Sequence, residues 1–216
     1  MSADRSSARS GLSAGDSGEP FDLRVGLTPA RILPQERIVN FSMCTLMMGT
    51  FDPMLRTLST LLDKGAAHVK GKGLDPDELV NARLAPDMFP LSRQVQIACD
   101  QAKSCAARLT GQEPPKFEDN EQTIAQLKAR IERTLDYIES VPKSAYEGCE
   151  KRRVSFPLGQ DMSLDMDGVE FLRDWTLPNF YFHVVTAYDI LRNQGVPVGK
   201  QDFLAHAAYA IRRNGS

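Results

Sequence analysis

The stretch LPNFYFHVVTAYDILRNQG, residues 177–195, holds the start, the seam and the stop of one helix. Pro178 suits a first helical turn, where its missing N–H costs nothing. Gly195 supplies a left-handed stop, and Pro197 bars resumption. Phe180, Val184, Ala187 and Leu191 recur at spacings of four, three and four. That is the apolar seam of a helix with one buried face. His183 and Asn179 lie four apart on the shoulder of the seam. Two ligand-type residues at this spacing are how helical bundles build metal or ligand sites. Asparagine is a poor ligand for transition metals, so the pair is a half-set at best.

Three more long amphipathic helices precede this one. The first is predicted from Val39 or Met43 to Lys70, with Met47, Phe51, Met54, Leu58, Leu61, Leu62 and Val69 in register and Pro53 as a kink or a start. Asp75-Pro76-Asp77-Glu78 opens a short helix with Asp as cap and Glu three later. The second long helix runs from near Pro90 to before Gly111, its seam of Leu91, Val95, Ala98, Ala102, Cys105 and Leu109 rich in small residues. Small residues allow close helix approach or leave room for a ligand. On that helix Gln94 is the inward polar group, while Gln96 and Asp100 fall on the opposite side. The third is predicted from about Asn120 to Ser140, with Ile124, Leu127, Ile131, Leu135 and Ile138 inward and Pro142 as its stop. Between Glu150 and Val169 the helical period breaks around Pro157 and Gly159, and a small hairpin fits better. A short helix over Gln201–Arg213 closes the chain. The expected fold is all-α: a four-helix bundle with a hairpin insertion before the fourth helix and a short C-terminal helix.

The bulk numbers fit one domain. The chain has 216 residues, 42% hydrophobic and 25% charged, with a formal charge of −2. That charge gives no drive toward nucleic acid or an anionic membrane surface. No apolar run approaches the roughly 20 residues of a membrane span, and no secretory signal is visible. Residues 1–36 are Ser- and Gly-rich with little to bury, and are expected to be a disordered tail ahead of a single domain over 37–216. An alternative is translation starting at Met43, Met47 or Met48. Cys44, Cys99, Cys105 and Cys149 show no paired spacing, and reduced thiols in a cytoplasmic protein are the expectation. There is no phosphate loop and no nucleophile elbow. Asp161, Asp165 and Asp167 lack the spacing and closing Glu of a calcium loop.

His68, at the end of the first helix beside Lys70, would suit the C-terminal dipole when charged. His206 is expected to face solvent. Trp175, Tyr181, Phe182 and Tyr188 are expected as core or interface packing.

LAPDMFPLSRQVQIACDQAK (residues 84–103) and LPNFYFHVVTAYDILRNQGVPVGKQDF (residues 177–203) resemble the two signature segments of a bacterial family known only as a domain of unknown function. LDKGAAHVKGKGLD (residues 62–75) and EDNEQTIAQLKARI (residues 118–131) fit the same pattern, and the resemblance spans about Met43 to Leu204. That family is similar to the DinB-like (damage-inducible) superfamily. The resemblance implies a four-helix bundle, often dimeric. In many superfamily members three histidines hold a divalent metal, one from the second helix and two from an H-x-x-x-H pair on the fourth. Some relatives are thiol-dependent transferases or isomerases. The pair falls on Asn179 and His183, and glutamines stand where the second-helix histidine would be, so two of three ligands are missing.

The expected function is a small-molecule-binding or dimeric interaction module, with a pocket at His183, Asn179 and Gln94. No cofactor is expected. The alternative is a divalent-metal enzyme of thiol-transferase type, with His183 as a ligand and a third donor from His68 or Asp87. A metal-free reaction with His183 as general base is a third reading, and it needs a partner the sequence does not place.

Overall fold

The four long helices are present, and their directions decide everything else. The computed structural model describes residues 42–212. The expected tail over 1–36, the start of the domain at 37 and an early helix start at Val39 lie outside the described residues. Helix α1 spans Met43–Gly71, α2 Leu91–Leu109 and α3 Ile124–Ser140. Strands β1 (Arg153–Leu158) and β2 (Met162–Asp167) form the predicted hairpin. A short helical turn α4 (Gly168–Glu170) then leads through a wide turn into α5 (Leu177–Asn193), the fourth long helix. The predicted C-terminal helix is shorter than expected: α6 covers Lys200–Phe203, followed by a 3₁₀ turn over Ala205–Ala210.

Cross-helix contacts give the topology. Phe51 packs edge-on to Phe180 at 4.8 Å, while a side chain at Gly65 would meet Leu191, so α1 and α5 run in the same direction. Arg56 pairs with Glu139 at 2.9 Å and Asp63 pairs with Lys128, so α3 runs against α1. Gln94 meets His183 and Cys105 meets Thr176, so α2 runs against α5. It follows that α2 and α3 are parallel. Around the bundle the order is α1, α3, α2, α5. The core is continuous through it, from Met47, Phe51 and Leu58 to Leu91, Val95, Leu127, Ile131, Phe180 and Leu191.

Parallel neighbours cannot be joined by a tight hairpin. After α2 the chain must travel back along the bundle before α3 can begin, and residues 110–123 do this as an extended arm over the groove between the two helices. Ionic contacts pin the arm. Arg130 on α3, whose side chain is 2% exposed, holds Asp100 of α2 at 3.0 Å, and Asp119 and Glu121 of the arm at 2.9 and 3.0 Å. Burial works against the charge on Arg130, but hydrogen bonding from Glu121 and the charge of Asp100 leave its pKa raised. Gln96 donates to Glu121 at 2.9 Å, Arg93 pairs with Asp119, and the Phe117 ring sits among Lys103, Arg130 and Arg133. Gln96 and Asp100 therefore do not face open solvent as the opposite side of α2. They are the seat of the arm. The arm also explains why α3 starts four residues later than expected. Asn120 to Gln122 belong to the arm, and Thr123 caps the helix through a reciprocal pair with Gln126 at 3.1 and 3.2 Å.

Pro178 stands in the first turn of α5, as expected, but a helical run leads into that turn from Gly168. Asp167 caps the run by accepting from the Glu170 N–H at 2.9 Å, and Glu170 reaches back at 3.2 Å. The run widens to a π-turn over Phe171–Thr176, and the Leu177 N–H bonds back five residues to Leu172. A proline inside an α-helix clashes with the carbonyl four residues back and leaves it without a donor. The widened turn relieves that, so Pro178 sits inside the run. Gly195 does end it, at φ +81°. Gly168 is fixed by crowding: a β-carbon there would lie 1.9 Å from the Cys149 carbonyl oxygen.

Two substitutions test this frame. Arg130→Ala should lower unfolding free energy by about 3 kcal/mol in urea titrations, because the arm's carboxylates lose their buried cation. Gly168→Ala should lower the melting temperature markedly, since a backbone oxygen stands where the methyl would go.

Candidate functional site

The α2–α5 interface brings two of the expected site residues together. Gln94 enters it from the first turn of α2 and is 1% exposed. His183 enters from α5, one residue off the Phe180–Val184 seam, and is 8% exposed. His183 Nδ1 lies 2.7 Å from Gln94 Oε1. The Gln94 amide nitrogen donates to the Phe89 carbonyl at 3.0 Å.

These two bonds fix the imidazole tautomer. The Phe89 carbonyl can only accept, so the atom of Gln94 facing it is the amide nitrogen, and the atom facing His183 is the oxygen. That oxygen can only accept, so Nδ1 carries the proton and Nε2 carries a lone pair. Nε2 makes no hydrogen bond to any described residue, nor is it one of the sealed polar atoms, so it touches solvent. Burial, with the nearby Arg93 charge adding to it, pushes the His183 pKa down to about 4. At neutral pH the ring is an uncharged acceptor held in one orientation.

Asn179 is not drawn into this pair. Its amide nitrogen donates at 2.7 Å to the Trp175 carbonyl, one turn back on the same run. Asn179 thus serves the helix beside the π-turn and Pro178. Of the aromatic residues expected as packing, Trp175 and Tyr188 are half-buried, but Phe182 is 59% exposed and Tyr181 and Val185 are also exposed. Phe182 stands edge-on to the His183 ring at 5.1 Å. Hollows of about 170–450 Å³ lie elsewhere among the described residues, and Gln94, Asn179 and His183 line none of these.

The donor set does not fit a divalent transition metal. Both polar ends of Gln94 are spent on Phe89 and His183, and the Asn179 nitrogen is spent on Trp175. One neutral imidazole remains, and zinc-type sites want several nitrogen, sulfur or carboxylate ligands. His68 cannot complete the set. It packs beside Gly195 at the far end of α5, twelve residues beyond His183 and so about 18 Å along the axis. Its Nε2 is sealed there without a partner. Among the described residues no group of three or more His, Cys, Asp or Glu stands close enough to hold a metal ion. All four cysteines are free and buried, and burial pushes the thiols of Cys99 and Cys105 up to about 12 and that of Cys149 to about 11. His206 is exposed, as expected.

Residues 43–204 match the family model described as a domain of unknown function, DUF1993. The chain belongs to this family. A crystal structure of a DinB family member protein from Shewanella denitrificans is 44% identical, covers 74% of this chain and 90% of its own, and superposes with a TM-score of 0.69. No curated protein matches. The expected DinB-like four-helix bundle of a family without assigned function is thus the fold of this chain. No helix among the described residues is long and apolar enough to cross a membrane.

Sequence reasoning found Gln94 and His183 from their positions on two helical wheels. It missed the partner that orients them, the Phe89 carbonyl, because a backbone acceptor leaves no mark in residue type.

The depressed His183 pKa sets a pH dependence. Its folded value, about 4, lies below the ordinary 6.5, so the unfolded chain binds the proton more readily. The stability that His183 contributes is present above pH 6.5 and is lost as pH falls toward 4. Guanidinium unfolding across that window should show a loss of about 2–3 kcal/mol that is absent in His183→Gln.

Proposed function

We propose that this chain is a binding module of the bundle type, working through α5 around His183, and not a metal-dependent thiol transferase. The observation that carries the reading is the Phe89–Gln94–His183 relay. It presents one neutral acceptor nitrogen at the surface in a fixed orientation. Such a group suits recognition of a hydrogen-bond donor on a small molecule or a partner surface. A metal site would leave the relay's amide ends free to ligate. A metal-free general base is disfavoured, because a pKa near 4 gives little pull on a proton at neutral pH.

The exposed row of Tyr181, Phe182 and Val185 beside His183 supports a second copy of the chain as one such partner. Exposed aromatic residues next to a fixed polar group are the usual makings of an interface centre.

Elemental analysis of tag-free protein incubated with zinc, nickel, manganese and iron tests the central claim. No retained metal is the expected result. Stoichiometric metal that disappears in His183→Ala would overturn the reading and point to the transferase. In sedimentation equilibrium the protein should be a dimer and Phe182→Glu a monomer. A monomeric wild-type protein would remove the second copy and leave a small-molecule ligand, to be sought by thermal shift with His183→Gln as the control.

A further inference from the structure

The outer face of α5 carries a stripe that the bundle does not use. Tyr181, Phe182, Val185 and Asp189 are all exposed, and they recur three and four residues apart along one side of the helix. The bundle takes α5 by its other sides, with Gln94 of α2 on His183 and Phe51 of α1 on Phe180. A surface helix ordinarily carries polar residues along its outer stripe. Here the middle of the stripe is aromatic and aliphatic.

A hollow of about 170 Å³ opens on this stripe, beginning at Val185 and running one turn onward. Val185, Tyr188 and Asp189 line it together with Lys200 and Phe203 of α6. Val185, Tyr188 and Asp189 stand at i, i+3 and i+4, the arrangement that makes a hole for a side chain of a facing helix. Tyr188 meets the Phe203 ring at 5.8 Å, so α6 forms the side wall. An apolar cavity of about 150 Å³ is enough for one benzene ring. At the rim, Asp189 and Lys200 are exposed, and neither makes an ion pair among the described residues. That rim suits a phenol. The carboxylate accepts from a hydroxyl, and the ammonium is drawn to the face of the ring.

A phenol of this kind stands one turn before Val185. Tyr181 precedes Tyr188 by seven residues, so both lie on the flank of α5 that faces α6. Tyr181 does not line the hollow of its own chain. When a two-fold axis sets two helices antiparallel, a residue some places before the axis meets the residue equally far after it on the other copy. With the axis at Val185, the turn of Tyr181 and Phe182 meets the turn of Tyr188 and Asp189, and does so twice. The stripe is therefore complementary to itself, which is what an isologous contact requires.

We infer that two copies of this chain pair antiparallel along α5 about Val185, with Tyr181 of each copy seated in the hollow between α5 and α6 of the other. The pairing rests on the reading of the Tyr181, Phe182 and Val185 row as a contact with a second copy. It gives that contact an axis, a direction and a receptor.

Disulfide trapping in the full chain tests it. All four native cysteines are buried, so an introduced surface thiol is the one that cross-links. Val185→Cys sets two thiols across the axis and should give a covalent dimer with the thiol oxidant diamide. Asp189→Cys should not, because its two copies lie about 12 Å apart along the axis, beyond the roughly 7 Å a disulfide can span. In sedimentation equilibrium Tyr181→Ala should raise the dimer dissociation constant about tenfold or more, with Tyr181→Phe between it and the wild type. Three results would each overturn the pairing while leaving a second copy as the partner: a dimer without the Val185→Cys cross-link, cross-linking at both positions (which marks parallel copies), or a dimer that Tyr181→Ala leaves intact. A wild-type protein that stays monomeric throughout the titration overturns both the pairing and the second copy. The substituted positions are exposed, and circular dichroism checks that each variant keeps its fold.

Discussion

Two parallel neighbours in a helical bundle impose a return journey, and here that journey is held by one buried guanidinium. The chain finishes α2 at the hairpin end and must reach the opposite end before α3 can start. An extended strand of residues 110–123 is long enough at about 3.3 Å per residue, but it has no second strand to pair with. Its polar groups must be met by side chains from the helices beneath. Arg130, with three carboxylates from two elements, does most of this, and Arg93, Gln96 and Lys103 do the rest. The seat of the arm in turn fixes the rotation of α2. With Gln96 and Asp100 turned to the arm, Gln94 is turned to α5, where His183 meets it.

What could be read in the sequence was what depends on neighbours within a turn or two. The seams of all four helices, the caps at Asp75 and Gly195 and the hairpin around Gly159 each come from local spacing or from one residue's backbone freedom. The inward aim of Gln94 and His183 was legible for the same reason, as angles on a wheel. Contacts between distant parts of the chain were not legible. Asp100 and Arg130 are thirty positions apart, and on separate wheels each resembles an ordinary solvated flank. Asn179 was misplaced for a related reason. Its spacing from His183 is that of a ligand pair, but spacing cannot show that a carbonyl beside a π-turn has a prior claim on its amide. Phe182 was expected as core or interface packing, and residue type alone does not distinguish a core from an uncovered face.

The two polar features of α2 differ in kind. At its first turn, Gln94 is fully satisfied and passes its orientation to His183, so every donor and acceptor except Nε2 is accounted for. At its last turn, Arg108 lies over the Phe156 ring of β1 and makes no ion pair among the described residues. A satisfied network defines a geometry, while an unsatisfied one leaves a demand.

The widened turn at Phe171–Thr176 also acts as a shim. A π-turn is what an α-helix becomes when one extra residue is taken up without breaking the run. The segment before it is anchored by Asp167 and by the close seat of Gly168 on the Cys149 carbonyl, and the segment after it carries His183. One residue of helix corresponds to about 100° of rotation. Loss of a single residue from this turn would leave both anchors and all four helices in place, yet swing the imidazole about a quarter-turn away from Gln94. Among related chains, the length of this short segment therefore dictates which face of the last long helix looks into the bundle, whatever residues that face bears.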